Sequence, residues 1–151
     1  MKHLVFNQFL PITLDEAWTF FANPANLNLI TPDRMHFQTL SEVPEKMYDG
    51  LLIRYRIRPM MNIPMNWVTK IISVKEKESF ADMQLKGPYK LWLHEHHFKA
   101  VPGGVMMTDD LKYDIGMGPL GWIAGRLWVD KQVSEIFKYR ENKLKELFPE
   151  K

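Results

Sequence analysis

The sequence predicts an α+β domain built on one curved sheet. A curved antiparallel sheet of about seven strands wraps one long C-terminal helix, and two short helices follow the first strand. Three observations carry this. From Met35 to Asp114 apolar residues alternate with a period of two through six successive segments. The breaks between most of them are too short for a parallel return, which needs about a dozen residues or more. After Gly116 and Gly118 the period becomes helical, and once past Pro119 the chain meets no further proline until Pro149. A single long helix must bury its apolar stripe, and the concave face of the sheet is the available surface.

The elements follow in order. His3 to Leu10 alternates, with Leu4, Phe6, Gln8 and Leu10 on one face, and reads as a strand closed by Pro11. Thr13 with Glu16 three residues on forms a capping box for a helix from Leu14 to Ala22. Asn23-Pro24 breaks that helix, and Ala25 to Ile30 can make a further turn or two before Thr31-Pro32. The six later strands are Met35–Leu40, Gly50–Arg58, Met65–Val74, Ser79–Leu85, Leu91–Ala100 and Val105–Asp114. Turn chemistry separates them: Pro44 with Asp49-Gly50, Pro59 with Pro64, Lys75 to Glu78, Gly87-Pro88, and Pro102-Gly103-Gly104. Pro119 suits the first position of the last helix, which can run for about 29 residues, or about 43 Å.

Length and charge exclude much. The 151 residues fit one domain spanning 1–151, and 20 Lys+Arg against 18 Asp+Glu leave a net charge of +2, no basis for a nucleic-acid partner. The absence of cysteine removes disulfides, thiolate metal sites and cysteine nucleophiles. No apolar run approaches the roughly 20 residues of a membrane span, and the N-terminus lacks a signal-peptide core, so a soluble, cytoplasmic domain is expected. The surplus lies elsewhere: 5 Trp, 9 Phe, 5 Tyr and 10 Met in a chain of mean hydropathy −0.28.

Alternation gives that surplus an address. Leu51, Ile53, Tyr55 and Ile57 form an inner face opposite Arg54, Arg56 and Arg58, which face water. Phe80, Asp82 and Gln84 share a face. So do Trp92, His94, His96 and Phe98, and so do Val105, Met107, Asp109, Leu111 and Tyr113. Two histidines and two aspartates therefore fall on apolar faces, where ionisable groups need partners. Three readings stand: a satisfied polar cluster fixing strand register, polar anchors for a mostly apolar ligand, or a metal site in which Asp82 or Asp109 completes His94-x-His96. A bare H-x-H pair is a weak metal signature, and neither a metal nor a cofactor is assigned. Met60, Met61 and Met65 supply soft bulk at one end of the sheet, either as gap-filling core or as a pocket mouth. Gly121 and Gly125 on the last helix allow close approach to the sheet or leave room for a ligand.

The series Trp67, Phe80-x-Asp82-x-Gln84, Gly87-Pro88-Tyr89, Trp92-x-His94-x-His96-x-Phe98, Gly104, Asp109-x-Leu111-x-Tyr113 and Gly118-Pro119-Leu120-Gly121 resembles the SRPBCC superfamily, the START and pollen-allergen-like proteins. More narrowly it resembles the bacterial ligand-binding branch labelled cell-division-inhibitor-like or polyketide cyclase/dehydrase-like. Asn26-Leu27 and Thr31-Pro32 fit the same pattern. The resemblance implies a helix-grip fold with a deep cavity between sheet and last helix. It supplies no reaction, because the superfamily spans carriers, receptors, cyclases and oxygenase subunits.

Three functions follow as expectations. The first is binding or carriage of a small hydrophobic molecule, lipid-like or aromatic. Its candidate ligand-binding residues are Tyr55, Trp67, Asp82, Gln84, Trp92, His94, His96, Phe98, Met107, Asp109, Tyr113, Ile123 and Leu127. The second is a cyclase or dehydratase in which His94 or His96 is a general base, Asp82 or Asp109 orients it and Tyr113 donates to a carbonyl oxygen. A histidine held by a carboxylate and open to the cavity favours that reading; two buried, capped histidines count against it. The third is an interaction module in stress or cell division, presenting Trp122, Trp128 and the basic strand face. Sequence gives no oligomeric state.

Overall fold

The computed structural model describes residues 1–60, 63–116 and 126–150. Its elements are β1 (Lys2–Leu10), α1 (Leu14–Phe21), 3₁₀ turns at Pro24–Ile30 and Asp33–Met35, β2 (Gln38–Thr39), β3 (Leu52–Met60), β4 (Ile63–Lys75), β5 (Ser79–Lys86), β6 (Leu91–Val101), β7 (Gly104–Asp114) and α2 (Arg126–Leu147). The seven strands make one sheet in the order β1-β7-β6-β5-β4-β3-β2, with every neighbouring pair antiparallel. This is the expected helix-grip α+β fold: a meander whose far end meets β1.

Local chemistry explains the boundaries. Thr13 Oγ1 accepts the Glu16 amide at 3.1 Å, and the Glu16 side chain returns to the Thr13 backbone, so the capping box fixes the start of α1. Asn23 caps the following 3₁₀ turn by accepting the Ala25 amide at 3.1 Å. One strand departs from expectation. Met35–Leu40 shrinks to Gln38–Thr39, because His36 sits in the left-handed region at φ 47° and closes the Asp33–Met35 turn by donating its amide to Asp33. At the β6–β7 hairpin Gly103 has φ +83°, and a Cβ on Gly104 would lie 2.2 Å from the Leu10 carbonyl, so β1 closes on β7 only over a glycine. The start of the last helix expected at Pro119, with Leu120, Gly121, Trp122, Ile123 and Gly125, falls outside the described residues, as does Met61.

The inner faces are those alternation assigns. Ile53, Tyr55, Ile57, Phe80, Phe98, Val105, Met107, Leu111 and Tyr113 are all buried, while Arg54 and Arg56 face solvent. The core has two parts. Trp18 of α1 packs edge-on against Phe80 and Phe98, both at 5.9 Å. Val129, Val133 and Phe137 of α2 pack with Leu111 and Tyr113 of β7. Phe6 of β1 stacks on Phe137 at 4.6 Å. Helix α2 therefore lies over the β1–β7 side of the sheet and stands off from β3, β4 and β5.

Candidate functional site

The stand-off leaves a cavity of about 180 Å³ between the sheet and α2. Ile53, Tyr55 and Ile57 of β3 and Trp67, Thr69 and Ile71 of β4 supply the sheet wall. Tyr89 and Trp92 line one end, Phe21, Leu27 and Ile30 the other, and Trp128, Gln132, Ile136 and Phe137 the helix side. Gln132 also receives a guanidinium hydrogen bond from Arg34, and Arg34 reaches Glu135 at 3.2 Å, tying the second 3₁₀ turn to the helix.

Polar tethers hold the aromatic wall. Trp67 Nε1 donates to Thr69 Oγ1 at 3.0 Å. Gln84 brackets the Gly87-Pro88-Tyr89 turn, its amide donating to the Tyr89 carbonyl at 2.7 Å and its oxygen accepting the Tyr89 amide at 3.1 Å. A Cβ on Gly87 would collide with that Gln84 side chain at 2.4 Å, which accounts for the glycine. Trp67, Tyr89 and Trp92 then pack on one another at 4.8 to 5.6 Å.

The cavity floor is ionic. Register sets Asp82 opposite His94 and His96 opposite Asp109, and all four side chains point inward. His94 Nε2 lies 2.8 Å from Asp109 Oδ1, and His96 Nε2 lies 2.6 Å from Asp82 Oδ2. Two longer approaches cross between the pairs, His94 Nδ1 to Asp82 Oδ2 at 3.5 Å and His96 Nδ1 to Asp109 Oδ1 at 3.4 Å. Arg140 of α2 closes the cluster, its Nη2 at 3.3 Å from Asp109 Oδ1. Its guanidinium lies 5.7 Å from the Phe21 ring and 5.9 Å from the Phe137 ring. His96 stacks on Phe80 at 4.2 Å.

The electrostatics sort the protons. Burial opposes ionisation of Asp109, but the Arg140 charge, the hydrogen bond with His94 and the approach of His96 outweigh it and hold the carboxyl well below its usual range. Burial likewise disfavours charge on Asp82, yet His94, His96 and the Trp92 indole bring it down. Burial and the neighbouring His96 lower His94. His96 also suffers from burial, but the nearby Asp109 carboxylate and its hydrogen bond to Asp82 raise it. The two carboxylates face the Arg140 guanidinium and the histidine pair, of which His96 is the one whose proton affinity is raised. Burial pushes the phenols of Tyr55 and Tyr89 up, so both stay protonated donors.

Of the candidate residues, Tyr55, Trp67, Asp82, Trp92, His94 and His96 line the cavity. Gln84 and Asp109 stand behind that layer as supports. Phe98 belongs to the core under α1, and Met107 is buried at 1% exposure in the same core. Tyr113 is buried, with its hydroxyl donating to Asp130 and its phenol pushed up by burial and that carboxylate. Leu127 is 87% exposed and faces away from the cavity, because the helix turns Trp128, Gln132 and Ile136 inward instead. Ile123 lies outside the described residues. Sequence reasoning missed Arg140 as a site residue. The available signal was a cation in the apolar repeat Val133, Phe137, Arg140, Leu144, a position that a buried counter-charge alone makes tolerable.

No protein-family model and no curated protein matches the sequence. Solved structures do. A structure of protein CV1439 from Chromobacterium violaceum is 8% identical, with a TM-score of 0.74 over 99% of this chain and 98% of that one. The structure of Ara h 8.0201 gives 11% identity and a TM-score of 0.63 over 95% and 97%. The major latex-like protein 151 from Panax ginseng gives 14% and 0.58 over 89% and 95%. At these identities the likeness is one of fold.

Proposed function

Starting from a chain with the helix-grip fold of the SRPBCC superfamily, we propose that this protein binds or carries a small hydrophobic molecule between its sheet and its C-terminal helix. The observation that carries the reading is the cavity of about 180 Å³ walled by isoleucines, tryptophans and tyrosines. For scale, an apolar cavity of about 150 Å³ takes up benzene, so a compact aromatic or short acyl compound fits. The polar end presents Asp82, whose side chain is 21% exposed, beside two far more buried imidazoles. An ionised carboxylate only accepts hydrogen bonds, so the preferred ligand carries a hydroxyl or amine at one end, and a free fatty acid is disfavoured.

The acid–base reading has less support. His94 and His96 are 4% and 5% exposed, and each commits Nε2 to a carboxylate. Capped imidazoles of this kind orient a ligand more readily than they take its protons.

Native mass spectrometry and thermal shift with naphthalene, 2-naphthol and 2-naphthoate test the proposal. The expected order is 2-naphthol first, naphthalene second and 2-naphthoate last. Ile53→Phe, which fills the wall, abolishes binding while the chain stays folded. Binding that survives Ile53→Phe, or no binding of any of the three, refutes the reading.

A further inference from the structure

The ionic floor contains an arrangement beyond what hydrophobic-ligand binding needs. Asp109 Oδ1 faces the Arg140 guanidinium at 3.3 Å, and a carboxylate paired with a cation offers only acceptor oxygens. His94 Nε2, at 2.8 Å, must therefore carry the proton it donates to Asp109. In neutral His94 that places the lone pair on Nδ1, 3.5 Å from Asp82 Oδ2. Two acceptors face each other there with no hydrogen between them. Asp82 Oδ2 also meets His96 Nε2 at 2.6 Å, so two imidazole nitrogens converge on one oxygen. On the far side of His96, Nδ1 is buried and has no hydrogen-bond partner; Asp109 Oδ1 lies 3.4 Å from it.

We propose that Asp82, His94 and His96 form a binding site for one divalent first-row transition ion, open toward the cavity. Their ligand atoms all lie within 4.8 Å of one another. Ions with bonds of about 2.1 Å need ligand separations of about 3.0 Å in octahedral and about 3.4 Å in tetrahedral geometry, and the observed 2.6 and 3.5 Å bracket those values. The outer shell is already built. With an ion on His94 Nδ1 and His96 Nε2, both outer nitrogens carry protons and both face Asp109. That is the carboxylate–histidine–metal arrangement that fixes tautomer and raises ligand basicity. His96 Nδ1 gains a use, and Arg140 neutralises Asp109 so that the ion meets one net negative ligand, Asp82. The Trp92 indole, donating to Asp82 Oδ1 at 3.3 Å, turns the other oxygen inward. The ion replaces the proton between His96 and Asp82, which leaves to solvent. Two histidines and one carboxylate with an open side suit zinc or iron(II).

The test uses the full chain, stripped with chelator and titrated with cobalt(II) and zinc(II). The expected result is one cobalt(II) per chain with visible ligand-field absorption, displaced by zinc(II). His94→Gln and Asp82→Asn each weaken binding at least tenfold, and Asp109→Asn, which removes no direct ligand, weakens it roughly 10–100-fold. Because these variants disturb a buried cluster, nitrogen-detected imidazole NMR on the unmutated chain supplies a second readout. Zinc shifts His94 Nδ1 and His96 Nε2 and leaves His96 with a single proton, on Nδ1, while surface His3 and His97 stay unchanged. Cobalt held by His94→Gln within threefold of the unmutated chain, or His94 and His96 nitrogens unmoved at saturating zinc, overturns the site. Naphthol binding is measured on the stripped chain, so the two proposals fail separately.

Discussion

The two sides of the sheet obey the same alternation and are held in different ways. On the β1–β7 side α2 lies directly on the strands: Leu111 and Val133 are fully buried, and Phe6 stacks on Phe137. On the β3–β5 side the helix stands away, and the inward residues meet a cavity. There Trp67, Tyr89 and Trp92 are positioned by side-chain hydrogen bonds to Thr69, Gln84 and Asp82. Close packing fixes rotamers where a second layer exists; where it does not, polar tethers do that work. The Asp–His–His–Asp–Arg cluster sits at the boundary between the two.

The largest expected effect comes from breaking that boundary. Arg140→Leu leaves Asp109 buried with only imidazoles for partners. Removing one member of a buried ion pair costs about 3–5 kcal/mol, so urea denaturation should show a loss of that size. A loss below about 1 kcal/mol would show that the cluster contributes little to holding the sides together.

Filling each side separates packing from vacancy. Val133 is fully buried on the packed side, and Val133→Phe overpacks it, costing about 1–3 kcal/mol or more. Ile53, 1% exposed, borders the cavity, so Ile53→Phe expands into free space and costs less than about 1 kcal/mol. Equal losses in a denaturant series would mean that the cavity side is as rigid as the other.

The cluster also makes stability depend on pH in two opposite senses. His94 is lowered, so the unfolded chain binds its proton more readily; its contribution is full above about 6.5 and lost as pH falls through the folded value. His96 is raised, so its contribution is full below about 6.5 and lost as pH rises through the folded value. Stability from the pair therefore peaks near pH 6.5 and declines on both sides. Lowered Asp82 and Asp109 add a further loss in acid, below the ordinary carboxylate range. Melting temperatures from pH 4 to 9 check the shape. In a His94→Asn, His96→Asn double variant the maximum near 6.5 disappears.

Sequence made the sheet legible because strand faces repeat every second residue: the inward set from Tyr55 to Tyr113 could be read without coordinates. It also put His94, His96, Asp82 and Asp109 on inner faces, since register follows from an antiparallel meander. Four things were not legible. The Met35–Leu40 strand failed on a single left-handed residue, His36, which no period reveals. Where α2 sits over the sheet depends on side-chain volumes across layers, so Phe98 and Met107 could not be told from cavity walls. Leu127 and Trp128 are neighbours on one helix, and a rotation of about 100° decides which turns inward. Arg140 was readable as an anomaly, but its partner on β7 was not.

The smallest expected effect tests the tether idea at one bond. Thr69 is 4% exposed, and its hydroxyl accepts the Trp67 indole N–H at 3.0 Å. Thr69→Val keeps the shape and removes the acceptor. A single neutral hydrogen bond contributes about 0.5–1.5 kcal/mol, and here part of that is recovered because the freed indole faces a cavity that can admit water. The expected stability change is therefore at the low end, about 0.5 kcal/mol. Order is the more sensitive readout. If tethers replace packing on this side, Thr69→Val broadens the Trp67 side-chain NMR signals and lowers naphthol affinity severalfold, with the packed side unchanged. A Trp67 signal as sharp as in the unmutated chain would mean that stacking on Tyr89 and Trp92 positions the ring without the bond.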